Sequence, residues 1–165
     1  MSLTITNQEI YGDVLVVTLT TPPHTDIPVV VETQITSANR DQYAVLVKGS
    51  AEMFDPSNNL IMTCHAVHTD DTQPMTYERG IYTIKTGDEI TEHLCFSKRN
   101  ALVDREELRL VADQSANLEH KKCILVASGT ATLNGVSIAA PRIVGVHSAV
   151  VEVKASTEAV VIGIK

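Results

Sequence analysis

Short apolar and β-branched runs recur along this chain about every ten residues, separated by Pro, Asn, Asp and Gly. That rhythm predicts strands packed as a sandwich or barrel. "DVLVVTLTT" (Asp13 to Thr21) is one run, and "TPPH" (Thr21 to His24) stops it, because proline lacks an N–H and fixes φ. "IPVVVETQIT" follows, then the loop "SANRD" and the run "QYAVLVKGSAEMF". "DPSNN" (Asp55 to Asn59) predicts a tight turn, "LIMTCHAVHT" a further strand and "DDTQP" (Asp70 to Pro74) a loop. "RGIYTIKTGDEITEHLCF" holds a strand, a glycine-marked turn and a second strand.

"CILVASGTATLNGVSIAAP" reads as strand, Gly, strand, turn, strand, and Asn134-Gly135 is a strong hairpin signal because both residues tolerate the φ > 0 of a type I′ turn. Beyond Pro141, "RIVGVHS", "AVVEVKAS" and "AVVIGIK" predict more strands, with Glu152 and Lys154 outward against Val151 and Val153. Tyr43 to Met62 echoes "CILVASGTATLNGVSI" in its order of strand, small residues, strand, turn, strand, which raises a pseudo-repeat without deciding it. One segment competes as helix. Leu102, Leu108, Val111 and Ala112 make an apolar stripe, and Asp104, Glu106 and Glu107 suit an N-terminal turn, so a short helix is predicted near 104–112. "ELRLVA" in the same stretch also alternates as a strand would.

Length adds a domain expectation: 165 residues suit one domain, 1–165, with N-terminal strands over 1–75 and the core over 76–165. Apolar residues are 44% of the chain but aromatic ones only 4%, so Val, Ile, Leu, Ala and Thr must fill the interior, which favours strands. The formal charge of -7 argues against nucleic acid and anionic membranes as partners, since both are bound mainly through Lys and Arg. No run approaches the roughly 20 apolar residues that cross a bilayer. The start, "MSLTITNQEIYGD", lacks the basic and then apolar order of a signal peptide. A soluble cytoplasmic protein is expected, or a virion component if the source is viral. Cys64, Cys95 and Cys123 are odd in number and show no CxxC spacing, so they are read as small buried side chains in a reducing setting.

From about Gly80 to the C-terminus three segments carry a resemblance. In "GIYTIKTGDEITEH" (Gly80 to His93) a Gly and an acid precede a strand ending in His; "CILVASGTATLNG" (Cys123 to Gly135) is a strand, Gly, strand, hairpin unit; in "ASTEAVVIGIK" (Ala155 to Lys165) an acidic turn leads into an apolar last strand. Together they resemble a cupin, the double-stranded β-helix of the jelly-roll class. The resemblance implies an all-β jelly-roll barrel or sandwich, with extra N-terminal strands. It also implies a metal pattern of two His one residue apart, then a Glu, then a further His. His93 fits the first place, Cys95 holds the second, Lys122 stands where the Glu belongs if Gly129 is the motif glycine, and His147 falls near the last His. The motif is degenerate.

His93, His120 and His147 are nevertheless spaced by 27 residues each, and two of them follow an acid, Glu92 or Glu119. If they converged, His93, Glu119, His120 and His147 would hold one divalent transition metal, such as Zn, Mn, Fe or Ni. The plainer reading is surface or hydrogen-bonded imidazoles. His65 and His68 of "HAVH" would face opposite sides of a strand, and the acids of "DREE" (Asp104 to Glu107) are read as a solvated face. No GxGxxG, P-loop or GxSxG motif is present, and no catalytic residue is assigned. The expectation is a non-catalytic cupin-like module without cofactor. It self-associates as a homodimer or larger, and binds a small ligand or joins a larger assembly, as a viral or prophage accessory protein would. The alternative is a metal-dependent cupin enzyme acting on a small acid or sugar, with His93 as a ligand.

Overall fold

The computed structural model describes residues 3–36, 42–66, 68–69, 76–99 and 101–165, and among them every regular element is a strand. The expected loops "SANRD" and "DDTQP" lie outside the described residues. The chain divides into two compact units, residues 1–10 with 15–102, and residues 11–14 with 103–165.

The strands of the first part are β1 (Thr4–Tyr11), β2 (Val14–Thr21), β3 (Asp26–Val31), β4 (Ile35–Thr36), β5 (Gln42–Lys48), β6 (Ser50–Phe54), β7 (Leu60–His65), β8 (His68–Thr69), β9 (Thr76–Tyr77), β10 (Gly80–Thr86) and β11 (Thr91–Lys98). They form a sheet of order β1-β2-β11-β5-β8, a second of order β3-β10-β6-β7, and the pair β4-β9. The second part has β12 (Arg105–Leu110), β13 (Ser115–Glu119), β14 (Cys123–Ser128), β15 (Thr130–Leu133), β16 (Val136–Ala139), β17 (Arg142–Gly145), β18 (Val150–Ala155) and β19 (Ala159–Ile164). Its sheets run β12-β19-β14-β17 and β13-β18-β15-β16.

Without β1 and the β4-β9 pair, the two units share one strand order. β2-β11-β5-β8 corresponds to β12-β19-β14-β17, and β3-β10-β6-β7 to β13-β18-β15-β16. The echo between Tyr43 to Met62 and Cys123 to Ile138 therefore marks equivalent strands, β5 to β7 and β14 to β16. The expected line at 75/76 falls elsewhere. β10 and β11 follow that line in the chain yet pair with β3, β6 and β5, so the units divide at 102/103. The segment that resembled one cupin core joins the closing strands of the first unit to the whole of the second.

The expected helix near 104–112 is corrected to a strand. β12 pairs antiparallel with β19 from Arg105 opposite Ile164 to Leu110 opposite Ala159. The period of two prevails because Leu108 and Leu110 share the face packed into the core, while Glu107 and Arg109 share the other and meet at 2.6 Å. On a helix, residues two apart would not face each other.

The local signals are met where turn chemistry is strong. Asn134 (φ 48°) and Gly135 (φ 81°) close the β15–β16 hairpin with Leu133 opposite Val136. Gly129 (φ 71°) turns the chain from β14 in one sheet to β15 in the other, and a Cβ there would run into the Glu158 carbonyl. Leu118, Ile124, Val126, Val153 and Val161 fill the core of the second unit. In the first, Val31 and Met53 pack with Tyr77 and Tyr82, whose rings meet edge to face at 5.4 Å. Among the described residues no helix is long and apolar enough to cross a membrane.

Candidate ligand-binding site

β5 and β11 pair with a shift in register: Glu92 lies opposite Lys48, but His93 lies opposite Leu46, leaving Val47 as the extra residue. Beyond the shift Cys95 faces Ala44, so His93, Leu46, Ala44 and Cys95 share one face of the sheet. His93, Leu46 and Ala44 line a cavity of about 170 Å³. The other sheet supplies Val29 from β3, Ala51 and Met53 from β6, Met62 and Cys64 from β7 and Ile84 from β10, and Tyr77 of β9 adds its ring. Hydrocarbon and thioether surface dominates. The polar side chains are those of His93, Cys64 and Tyr77, whereas Glu52, between Ala51 and Met53 on β6, borders the cavity with its side chain on the exposed face of the strand. Tyr77 is 2% exposed and braced by Tyr82, whose hydroxyl oxygen accepts the Glu78 N–H at 2.9 Å. That wall is held by packing and by a hydrogen bond at once.

The other expected ligands belong to the second unit. Glu119 ends β13 opposite Val150 and is exposed. His120 is exposed on a left-handed turn (φ 53°) and its N–H donates to the Ala149 carbonyl at 2.8 Å. His147 is exposed after β17, and borders a cleft of about 290 Å³ whose floor includes Ile124, Leu133 and Ile138. Lys122 is exposed, its aliphatic stem over Gly12 and its backbone joined to Val146 and Ile164. Among the described residues no three His, Cys, Asp or Glu side chains are grouped as a metal site.

His65 is exposed at the end of β7, and His68 begins β8. Of the acids in "DREE", Asp104 is exposed, Glu106 pairs with Lys121 at 3.2 Å, and Glu107 pairs with Arg109. Cys123 is buried, whereas Cys64 and Cys95 are half-buried, so the expectation of three buried thiols holds for one. The remaining cavity residues carried no sequence signal, because Leu46, Met53, Met62 and Ile84 read like any core positions of alternating strands.

No protein-family model matches the chain, and no curated protein matches it in sequence. Among solved structures it is similar to a cupin 2 conserved barrel domain protein from Leptotrichia buccalis, over 99% of this chain and 89% of that one, at 11% identity and a TM-score of 0.55. The fold is cupin-like. A bacterial pirin from Escherichia coli, YhhW in complex with nickel(II), is similar over 96% of this chain and 93% of its own, at 10% identity and a TM-score of 0.56. AerE from Microcystis aeruginosa matches over 99% and 91%, at 8% identity and a TM-score of 0.53. At such identities the likeness speaks for the fold alone. The cupin-like fold thus takes in both units rather than beginning near Gly80.

Proposed function

We propose that this cupin-like chain is a non-catalytic binding module that holds a small, mostly apolar molecule in its first unit and associates with copies of itself. The cavity beside His93 carries the proposal. A partly open space with apolar walls and a few polar side chains suits a ligand with one hydrogen-bonding substituent. At about 170 Å³ it is close to the roughly 150 Å³ of an engineered apolar cavity that takes up benzene, so a single substituted ring fits. The non-catalytic part is supported by the scattering of the acids and imidazoles described above.

Calorimetric titration with phenol and with benzene tests this reading in the wild type and in Ala44→Phe, which fills the cavity. Saturable one-to-one binding that weakens at least about tenfold in the variant is expected, since the added ring occupies the ligand's space. Binding of neither probe, or binding unchanged by Ala44→Phe, overturns it. One transition metal per chain, kept through dialysis and lost with His93→Ala, would instead favour the metal-dependent enzyme, a reading to which His93 and Cys64 in one cavity lend support.

A further inference from the structure

We infer that self-association runs through the outer edge of β1, with two copies pairing antiparallel about a two-fold axis at Gln8. The inference rests on the self-association proposed above and is independent of the cavity. β1 stands first in its sheet, so among the described residues no strand lies along its outer side, and all of its residues but Tyr11 are exposed. Ile5 and Ile10, on opposite faces, are 64% and 70% exposed. An unpaired strand edge is a template for another strand.

The other sheet edges among the described residues are shorter or protected. β12 carries four charged side chains, Arg105, Glu106, Glu107 and Arg109. β3 contains Pro28, and β7 pairs with β6 through an irregular register. β1 has eight residues, no Pro, no Lys and one charge, Glu9. Edges that natural proteins keep from pairing usually carry such guards.

Symmetry narrows the register. An antiparallel pair related by a two-fold axis must set one residue opposite its own copy. With Gln8 on the axis, Asn7 faces Glu9, Thr6 faces Ile10 and Ile5 faces Tyr11. The only carboxylate of the strand then meets an amide, and no like charges oppose across copies of a chain that carries -7 overall. With Asn7 on the axis, Glu9 would lie against Ile5. A near-neutral Thr- and Ile-bearing edge on an acidic molecule therefore fits a second copy of itself.

The test uses the full chain in Gln8→Cys, Asn7→Cys and Ile10→Lys variants, compared with wild type by sedimentation and, after diamide oxidation, by non-reducing electrophoresis. Opposed residues of an antiparallel pair have Cα atoms about 4.5 to 5.5 Å apart, within the reach of a disulfide, and residues offset by two positions exceed it. The expected result is covalent dimer from Gln8→Cys, little above wild type from Asn7→Cys, and dimerisation weakened about tenfold or more in Ile10→Lys, with a far-ultraviolet circular dichroism spectrum like that of wild type. Cross-linking at Asn7→Cys in place of Gln8→Cys overturns the register. A dimer that survives Ile10→Lys and cross-links at neither position overturns the edge while self-association stands. A monomeric wild type at micromolar concentration overturns both and leaves the cavity proposal to its own titration.

Discussion

His93 lies directly opposite Leu46, one step past the point where β5 slips against β11 at Glu92. The slip decides what the imidazole adjoins. A register displaced by one residue would set Val45 or Val47 opposite His93 in place of Leu46, and strand neighbours of opposite parity point to opposite faces. The cavity wall of His93, Leu46 and Ala44 is thus a product of the register as much as of residue type.

From this position His93→Ala is expected to leave metal content unchanged and to cost about 1 kcal/mol or less, as does trimming a half-buried side chain beside an existing void. His147→Ala, at an exposed loop, should behave alike. Elemental analysis and calorimetric melting of both variants check this. Loss of stoichiometric metal in either would defeat it.

Gly129 and Gly135 both have positive φ but differ in surroundings, and this separates backbone strain from collision. A Cβ at Gly135 meets nothing within 4 Å, so Gly135→Val should cost only the strain of a β-branched residue at φ > 0, about 1 to 2 kcal/mol. At Gly129 the added carbon also strikes the Glu158 carbonyl, and Gly129→Ala should cost about 3 kcal/mol or more. Denaturant titrations that rank Gly135→Val as the more damaging would contradict this account.

Asn134 also ties its turn to the next strand of the sheet. The Glu152 N–H donates to Asn134 Oδ1 at 2.9 Å, and the Asn134 N–H donates to the Glu152 carbonyl at 2.9 Å. Asn134→Gly keeps the positive φ and removes only the side-chain acceptor, so a loss of about 1 kcal/mol is expected. Equal melting curves for the variant and wild type would show the bond to contribute nothing.

The Asp55 turn gives a pH prediction. The Asn59 amide, which donates to Asp55 Oδ1 at 2.8 Å, is the main cause holding that carboxyl below the usual carboxylate range; desolvation opposes it, and the Asn59 side chain and the Ser57 amide add to the lowering. A pKa lower in the folded state means a stabilisation fully present above the unfolded value of about 3.9 and lost as pH falls through the folded value. Asp55→Asn should therefore flatten the acid limb of the stability curve below about pH 4. Carboxyl NMR placing the Asp55 midpoint at or above the ordinary aspartate value would remove the effect.

What the sequence determined by itself is local. Alternation, β-branched runs and turn residues made the chain all-β, located the Asn134-Gly135 hairpin and located the Asp55 turn, because φ preference and side-chain capping act over a few residues. The segment 105–110 shows where local pattern ends. Its residues suit an apolar stripe or an alternation, and pairing along β19 settled it as strand. Only tertiary structure assigned β10 and β11 to the first unit, because their partners β3 and β5 are distant in the chain, and no local signal records such pairing. By the same division the equal spacing of His93, His120 and His147 runs across two units and does not mark a repeat within one. The cavity was equally hidden. Residues that line a void and residues that fill a core are the same types in the same alternation, and the spacing of the two sheets decides which role each takes.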